Sequence, residues 1–308
     1  MIICCGEALI DMIPSATADA RTGFVPHAGG AVFNTAIALG RLGHETGFVT
    51  GLSDDLFGQQ LAAALDQSQV DYSHAIRSSL PTTLAFVELS EGQARYTFYD
   101  ENTAGRSLSP TQLPDLPEAA QALYFGGISL ISEPCAEFYA ALAEREAQDR
   151  LIMIDPNIRA SFVQDEARYR ARLERMIAVA DIVKVSDEDL DWIIGGDTGL
   201  DAKAGQLCAA GPHAVIVTRG AEGATAVLKS GAVLDAPAHP AQVVDTVGAG
   251  DTFNAGVLAR LAQDGFLSKS RFPQIDANTL RNALVLGARV AAVTVSRAGA
   301  NPPWAHEL

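Results

Sequence analysis

The stretch Asp245–Gly256, D-T-V-G-A-G-D-T-F-N-A-G, brings small residues and a carboxylate into one turn, a combination suited to chemistry on an anion. The preceding A-Q-V-V reads as a short strand. Downstream, Thr252, Phe253, Ala255, Val257, Leu258 and Leu261 make a largely apolar segment compatible with a buried helix. Gly248, Ala249 and Gly250 thus fall at a strand-to-helix junction. A helix start leaves backbone N–H groups without internal partners and carries partial positive charge, so small residues there let a phosphate approach the main chain. Asp251 falls in the first turn, beside that anion. It either complements the helix dipole or takes a proton from a substrate. The same helix start should hold its carboxyl low and make it a weak base.

The loop is not a familiar nucleotide fingerprint. It lacks the Lys-Ser/Thr ending of G-x-x-x-x-G-K-[ST], and Phe253 stands where the third glycine of G-x-G-x-x-G would be. The first strand, Ile2 to Gly6, runs into E-A-L-I-D without the glycine spacing that a pyrophosphate needs.

Placing such a junction requires a sheet. Short apolar runs alternate with helical patterns along the chain, as in a doubly wound α/β fold whose mainly parallel sheet is covered on both faces. The expected strands are Ile2–Cys5, Thr46–Thr50, Leu123–Gly126, Leu151–Ile154, Ile182–Val185 and Ala214–Thr218, with Ala224–Leu228 and Ala232–Asp235 more antiparallel in character. The expected helices are Ala31–Leu42, Phe57–Asp66, Glu133–Gln148, Glu166–Ala178, Asp187–Ile194, Ala249–Gln263 and Asn278–Val293. In such sheets ligands bind beyond the carboxyl ends of the strands. Leu9–Val25 and Thr82–Asp100 interrupt the alternation as extended pieces. The second, with a polar turn at Ser90–Gln93, suggests a hairpin, either a decorative edge or a functional cover.

Composition fits a water-soluble enzyme. The formal charge of −15, from 22 basic and 37 acidic residues, argues against nucleic acid or an anionic membrane as partner. A polyanion must instead be met locally by backbone amides, a metal and a few placed cations. Cys4, Cys5, Cys135 and Cys208 form no C-x-x-C pair and read as buried free thiols. No basic region precedes an apolar run at the start of the chain, and no apolar stretch is long enough for a membrane span, so a cytoplasmic location is expected.

The D-T-V-G-A-G-D-T-F-N-A-G stretch resembles the C-terminal signature of the ribokinase-like, PfkB-type carbohydrate kinases. A second match lies at His27–Gly43, H-A-G-G-A-V-F-N-T-A-I-A-L-G-R-L-G, which resembles that family's Gly-Gly substrate motif. The likeness runs from Gly6 to about Pro303, and it implies a single α/β unit over residues 1–308. Within it, about 9–25 and 82–105 would form a small β-sheet lid over the sugar, a lid that in relatives often also makes a dimer contact.

Residue by residue, the resemblance implies an acceptor site at Gly29, Gly30 and Asn34, and at Asp11, taken as the end of the first strand. The glycines would let the main chain approach a ligand, and Asn34 offers donor and acceptor groups. Apart from the resemblance, Asp11 could be a turn residue and Asn34 a cap. D-P-N-I-R, Asp155–Arg159, resembles a segment of fructokinases and 2-keto-3-deoxygluconate kinases, which points Asn157 and Arg159 at the sugar or its leaving phosphate. Y-D-E-N-T-A-G-R-S-L adds Asn102 and Arg106, and Phe98 could stack on the sugar. K-V-S-D-E-D, Lys184–Asp189, occupies the place of an Asn-x-x-Glu motif that holds magnesium largely through water; here Ser186 and Asp189 depart from that pattern. Thr218, Gly220 and Gly223 resemble the turn that binds ATP phosphate and ribose. The loop near Asn301 and the strand before the catalytic motif coordinate a monovalent cation in several relatives, which implies potassium.

The implied activity is transfer of a phosphoryl group from Mg-ATP to a sugar hydroxyl, with Asp251 as base and the amides of Gly248, Ala249 and Gly250 stabilising charge. Fructose is the first expected acceptor and 2-keto-3-deoxygluconate the second. Two other classes stay open. A catalytically silent sugar- or nucleotide-binding regulator of the same fold is disfavoured by the intact Gly-Ala-Gly-Asp, and a nicotinamide-dependent oxidoreductase by the missing G-x-G-x-x-G.

Overall fold

The computed structural model describes residues 1–90 and 93–308. In chain order the strands and helices begin β1 (Ile2–Cys5), β2 (Leu9–Ala16), β3 (Thr22–Gly29), α1 (Ala31–Arg41), β4 (Thr46–Val49), β5 (Gly51–Ser53) and α2 (Leu56–Gln67). They continue with β6 (Val70–Asp71), β7 (Ile76–Ser78), β8 (Leu84–Ser90), β9 (Gln93–Tyr99), β10 (Ala122–Gly126), α3 (Cys135–Glu146), β11 (Leu151–Asp155) and α4 (Glu166–Val179). The remainder is β12 (Ile182–Ser186), α5 (Asp187–Ile194), α6 (Leu200–Ala209), β13 (Ala214–Thr218), β14 (Ala224–Leu228), β15 (Val233–Ala236), α7 (Ala249–Gln263) and α8 (Ala277–Val295).

Nine strands form one sheet in the order β15-β14-β13-β12-β11-β10-β1-β4-β6. All its pairings are parallel except β13 with β14 and β14 with β15. Successive residues of each strand face opposite layers, as the two-residue period requires. Ile2, Cys4, Tyr124, Met153 and Ile216 pack with α1, α2, α7 and α8. Ile3, Cys5, Phe125, Ile154 and Val217 pack with α3 to α6. Both faces being covered, the strands read as continuous apolar runs. From β1 the chain moves outward to β4 and β6, then returns to place β10 on the other side of β1. That reversal opens a crevice at the carboxyl ends of the central strands.

A second sheet, β3-β2-β8-β9, stands apart from the first. It joins the two extended segments anticipated at 9–25 and 82–100, but β3 runs on to Gly29, further than the sequence suggested. Asp11 is the third residue of β2 in this sheet and does not end the first strand. Part of the turn expected at Ser90–Gln93 lies outside the described residues. Two other expectations fail. A-Q-V-V is coil with Val243 and Val244 exposed, because its backbone bonds to the end of α8 rather than to a strand. The predicted helix from Glu133 starts only at Cys135, after Pro134. Helix α6 and the short strands β5, β6 and β7 were not anticipated. Among the described residues no helix is long and apolar enough to cross a membrane.

The pairing of α7 with α8 decides where the Gly248–Gly250 loop sits. Gly256 lets the two helices touch: a Cβ there would lie 2.7 Å from the Gly287 Cα, and one on Gly287 would lie 2.9 Å from the Phe253 carbonyl. Replacing Gly256 with Val should force the helices apart and cost about 1–3 kcal/mol, the usual scale of overpacking. Urea denaturation checks this, and an unchanged midpoint would refute the close-approach role.

Candidate active site

Gly248 caps the start of helix α7; its φ of 77° lies in the left-handed region, and a side chain there would also run into Ala300. Glycine is needed on both counts. Among the described residues the N–H groups of Gly248, Gly250 and Asp251 find no acceptor in the protein, whereas that of Ala249 donates to the Thr246 carbonyl at 3.3 Å. Free amides are what an anion at a helix N-terminus requires. The set differs from expectation by one residue: the amide of Asp251 replaces that of Ala249.

A cation stands beside these amides. The Lys184 Nζ, on β12, lies 3.3 Å from where a Gly250 side chain would begin. It donates to Asp155 Oδ2, at the end of β11, at 2.9 Å, and both side chains are buried. Asn254, one turn along α7 from Asp251, donates to the same Asp155 oxygen at 2.7 Å and to the Tyr124 hydroxyl at 2.9 Å. Asp155 therefore ties the sheet to the helix and fixes the ammonium that faces the loop.

The Asp251 carboxylate is buried and accepts a hydrogen bond from Asn34 Nδ2 at 2.9 Å, while its backbone carbonyl accepts one from Thr35 Oγ1 at 3.0 Å. Burial pushes its carboxyl up to about 7, aided by the negative charges of Asp155 and Glu7 and opposed by the Asn34 bond and Lys184. This reverses the expected weak base. Loss of water outweighs the helix dipole, because the charged form loses more by desolvation than a helix end returns.

Glu7, just after β1, accepts N–H bonds from Ala31 at 2.9 Å and Ser129 at 3.2 Å, and burial raises its carboxyl. Gly30, at φ 110°, closes over the Glu7 carbonyl, and Gly29 leaves room for the Asp11 carboxylate. The Gly-Gly pair thus brings protein groups together, beyond its expected approach to a ligand. Asp11 is raised by burial to about 6.

Asp11, Gly30, Asn34, Phe98, Asn157, Arg159, Lys184 and the 248–251 loop surround one cavity of about 330 Å³. Asn157, at φ 44°, turns its amide onto Asp155 Oδ1 and accepts from Arg159 on its side chain at 2.7 Å. The other anticipated residues lie elsewhere. Asn102 is exposed in a turn and Arg106 pairs with Asp100 at 2.7 Å in a neighbouring cavity, since the chain turns away from the cleft after β9. Ser186 and Asp189 form a capping box at the start of α5, and Asp189 also accepts the Ile158 N–H at 3.0 Å. Each of its oxygens accepts one backbone N–H, and it does not line the cavity. Thr218 ends β13, and Gly220 and Gly223 sit in the turn to β14, all three outside this cavity.

Sequence reasoning passed over Glu7, Tyr96, Asp155 and Phe162, all of which line the cavity. Asp155 heads the D-P-N-I-R run and Glu7 follows the first strand, so position at a strand end was the available signal.

A crevice at a sheet's switch point, with free amides, a fixed ammonium and a raised carboxylate, is a site for moving a phosphoryl group onto a hydroxyl. The chain belongs to the pfkB family of carbohydrate kinases, whose model matches residues 1–307. It is an ATP-dependent sugar kinase with the ribokinase-like fold. It is 52% identical over 283 residues to a fructokinase of Rhizobium leguminosarum bv. trifolii, covering 92% of this chain and 86% of that protein. A Klebsiella pneumoniae fructokinase is 36% identical over 84% of each chain. The crystal structure of a Xylella fastidiosa fructokinase with bound ATP superposes with a TM-score of 0.87 at 29% identity, covering 97% and 93%. An aminoimidazole riboside kinase from Salmonella enterica, complexed with its riboside and an ATP analogue, gives 0.80 at 26% identity, covering 97% and 94%.

Asp251→Asn is expected to lower kcat by about 10²-fold or more, the usual scale for a general base, with sugar affinity little changed. In the parent protein kcat/KM should fall as pH drops through about 7 and the Asp251 carboxylate takes up its proton. Stability moves the other way. The folded chain binds this proton more tightly than the unfolded one, so ionising Asp251 costs stability between about pH 4 and pH 7. Asp251→Asn should therefore melt higher than the parent at pH 8. Near-normal turnover in this variant would remove Asp251 from the chemistry.

Proposed function

We propose that the chain is a fructokinase, transferring the γ-phosphoryl group of Mg-ATP to a hydroxyl of fructose. The observation that carries this reading is the placement of Asp251, beside free amides and the Lys184 ammonium, in one cavity with Asp11, Asn34 and the D-P-N-I-R loop. The identity to proteins named fructokinase supports fructose over other acceptors. Asp251 takes the hydroxyl proton as the acceptor oxygen bonds to phosphorus. Amides and ammonium stabilise charge on the migrating group, and a loose transition state asks for no stronger base. The remaining cavity-facing residues, Asp11, Asn34, Asn157, Arg159 and Phe98, orient the sugar. The four-stranded sheet serves as a lid over a single α/β unit, keeping water from the phosphate.

Magnesium fits as an ion carried in on the nucleotide. Among the described residues no cluster of three or more His, Cys, Asp or Glu is arranged to hold a metal, and Asp189 is occupied by its cap. Magnesium keeps several waters and relies on substrate phosphates, so it needs few protein ligands. Bound there it would neutralise phosphate charge. Potassium near the catalytic loop is supported by Asp245, which accepts N–H bonds from Val247 at 3.0 Å and Gly299 at 2.8 Å and so joins the two segments that would surround it. A homodimer through the lid is supported by Phe24, Val25 and Tyr99, exposed on that sheet, with Phe24 and Tyr99 edge to face against Phe86. Buried free cysteines support a cytoplasmic location.

An ADP-release assay with Mg-ATP tests the acceptor across fructose, 2-keto-3-deoxygluconate, ribose, glucose and adenosine, with and without potassium. Preference for fructose is expected. Preference for 2-keto-3-deoxygluconate would keep the mechanism and replace the acceptor, while ATP binding without turnover on any sugar would favour a regulator. Lys184→Met should lower kcat/KM for ATP by about 10²-fold, the scale of one preorganised charge at a developing anion. A value near that of the parent would take Lys184 out of phosphate binding.

A further inference from the structure

A second cavity, of about 800 Å³, lies against the catalytic one of about 330 Å³. Phe98, Ile128 and Phe162 line both. They come from three separate segments: the lid strand β9, the turn after β10 and the turn after β11. The Phe98 and Phe162 rings meet edge to face, with centroids 4.8 Å apart and planes at 85°. The two spaces are therefore divided by an apolar wall one side chain thick.

Beyond the wall the lining is mixed, with polar groups among apolar ones. Arg106 pairs with Asp100 at 2.7 Å, and Ser132 donates to the same carboxylate at 3.1 Å. Tyr169 is buried there, and its hydroxyl has no hydrogen-bond partner in the protein. That hydroxyl is closed off from the cavity, so the groups there that can meet a hydroxyl-rich ligand are those of Arg106, Asp100 and Ser132.

We propose that Phe98 and Phe162 form a partition that sets the length of the acceptor, and that the larger cavity is the space a second sugar ring occupies once the partition is opened. The proposal rests on the sugar kinase reading of the catalytic cavity. The chemistry is unchanged: the bond from the γ-phosphorus to the ADP oxygen breaks, the bond to the acceptor oxygen forms, and Asp251 takes the hydroxyl proton. What changes is which acceptors fit. A monosaccharide ends against the rings, whereas a disaccharide would have to displace them. Since Phe98 belongs to the lid and Phe162 to the main body, the pair also helps hold the lid down. That second role would affect all acceptors alike, so the ratio between acceptors separates the two.

The test compares parent and Phe162→Ala on fructose, turanose, maltulose and isomaltulose, glucosyl-fructoses joined through different hydroxyls. The expected result is a rise of about 30-fold or more in kcat/KM relative to fructose for at least one disaccharide, within the range a changed apolar pocket wall produces. Phe162→Trp, which thickens the wall, should give no such rise. Phe98→Leu thins it from the lid side and serves if Phe162→Ala does not fold. Equal losses on all four sugars would mean a lid contact only and would overturn the partition. So would a parent that already takes a disaccharide as well as fructose. If the parent prefers another monosaccharide, the fructose reading falls, and the partition is still measured on that sugar against its own glucosides.

Discussion

The site depends on one buried ion pair, that of Lys184 with Asp155. A charge taken out of water is costly unless partnered, and here the partner is shared with Asn254 and, through it, with Tyr124. The ammonium is thereby fixed where β11, β12 and the start of α7 converge, next to the free amides of the loop. Removing Asp155 alone would leave a lysine stranded in a poor solvent for it. Its neighbours would lose their reason to stay aligned. A structural contact thereby also positions the cation that faces the loop.

That arrangement explains how a carboxylate can sit beside a phosphate. Burial holds the Asp251 proton more firmly than water would, with the charges of Asp155 and Glu7 adding to it and Lys184 opposing it. The consequence is a base poised near neutrality, stabilised by Asn34 and positioned by the helix start. The same burial makes the site less stable in its ionised form than an amide in that position would be. Displaced pKa values of this kind are common at functional sites.

Much of this was legible in the residues. The D-T-V-G-A-G-D turn announced a helix start with free amides, because glycine and alanine at such a junction have few other uses. The strands of the central sheet were legible because burial on both faces leaves continuous apolar runs. The A-Q-V-V segment misled for the same reason: two valines in sequence look like a strand, but their backbone is claimed by the end of α8 and their side chains face water. Helix α6 escaped notice because its sequence, L-D-A-K-A-G-Q-L-C-A, is short and weakly amphipathic, held by packing against β13 and β14.

By itself the sequence determined the fold class and the likeness to sugar kinases, and it marked the loop and the carboxylate on which the proposed chemistry rests, since each depends on residue types within short segments. Tertiary structure alone decided the rest. Whether Arg106 or Arg159 reaches the acceptor depends on which way the chain turns after β9 and β11. Whether Asp189 is free depends on the cap it forms, and whether Asp251 is a weak or a poised base depends on how much water its neighbours exclude. Local pattern carries backbone conformation, whereas solvent exclusion and the convergence of distant side chains arise only when the layers close on one another.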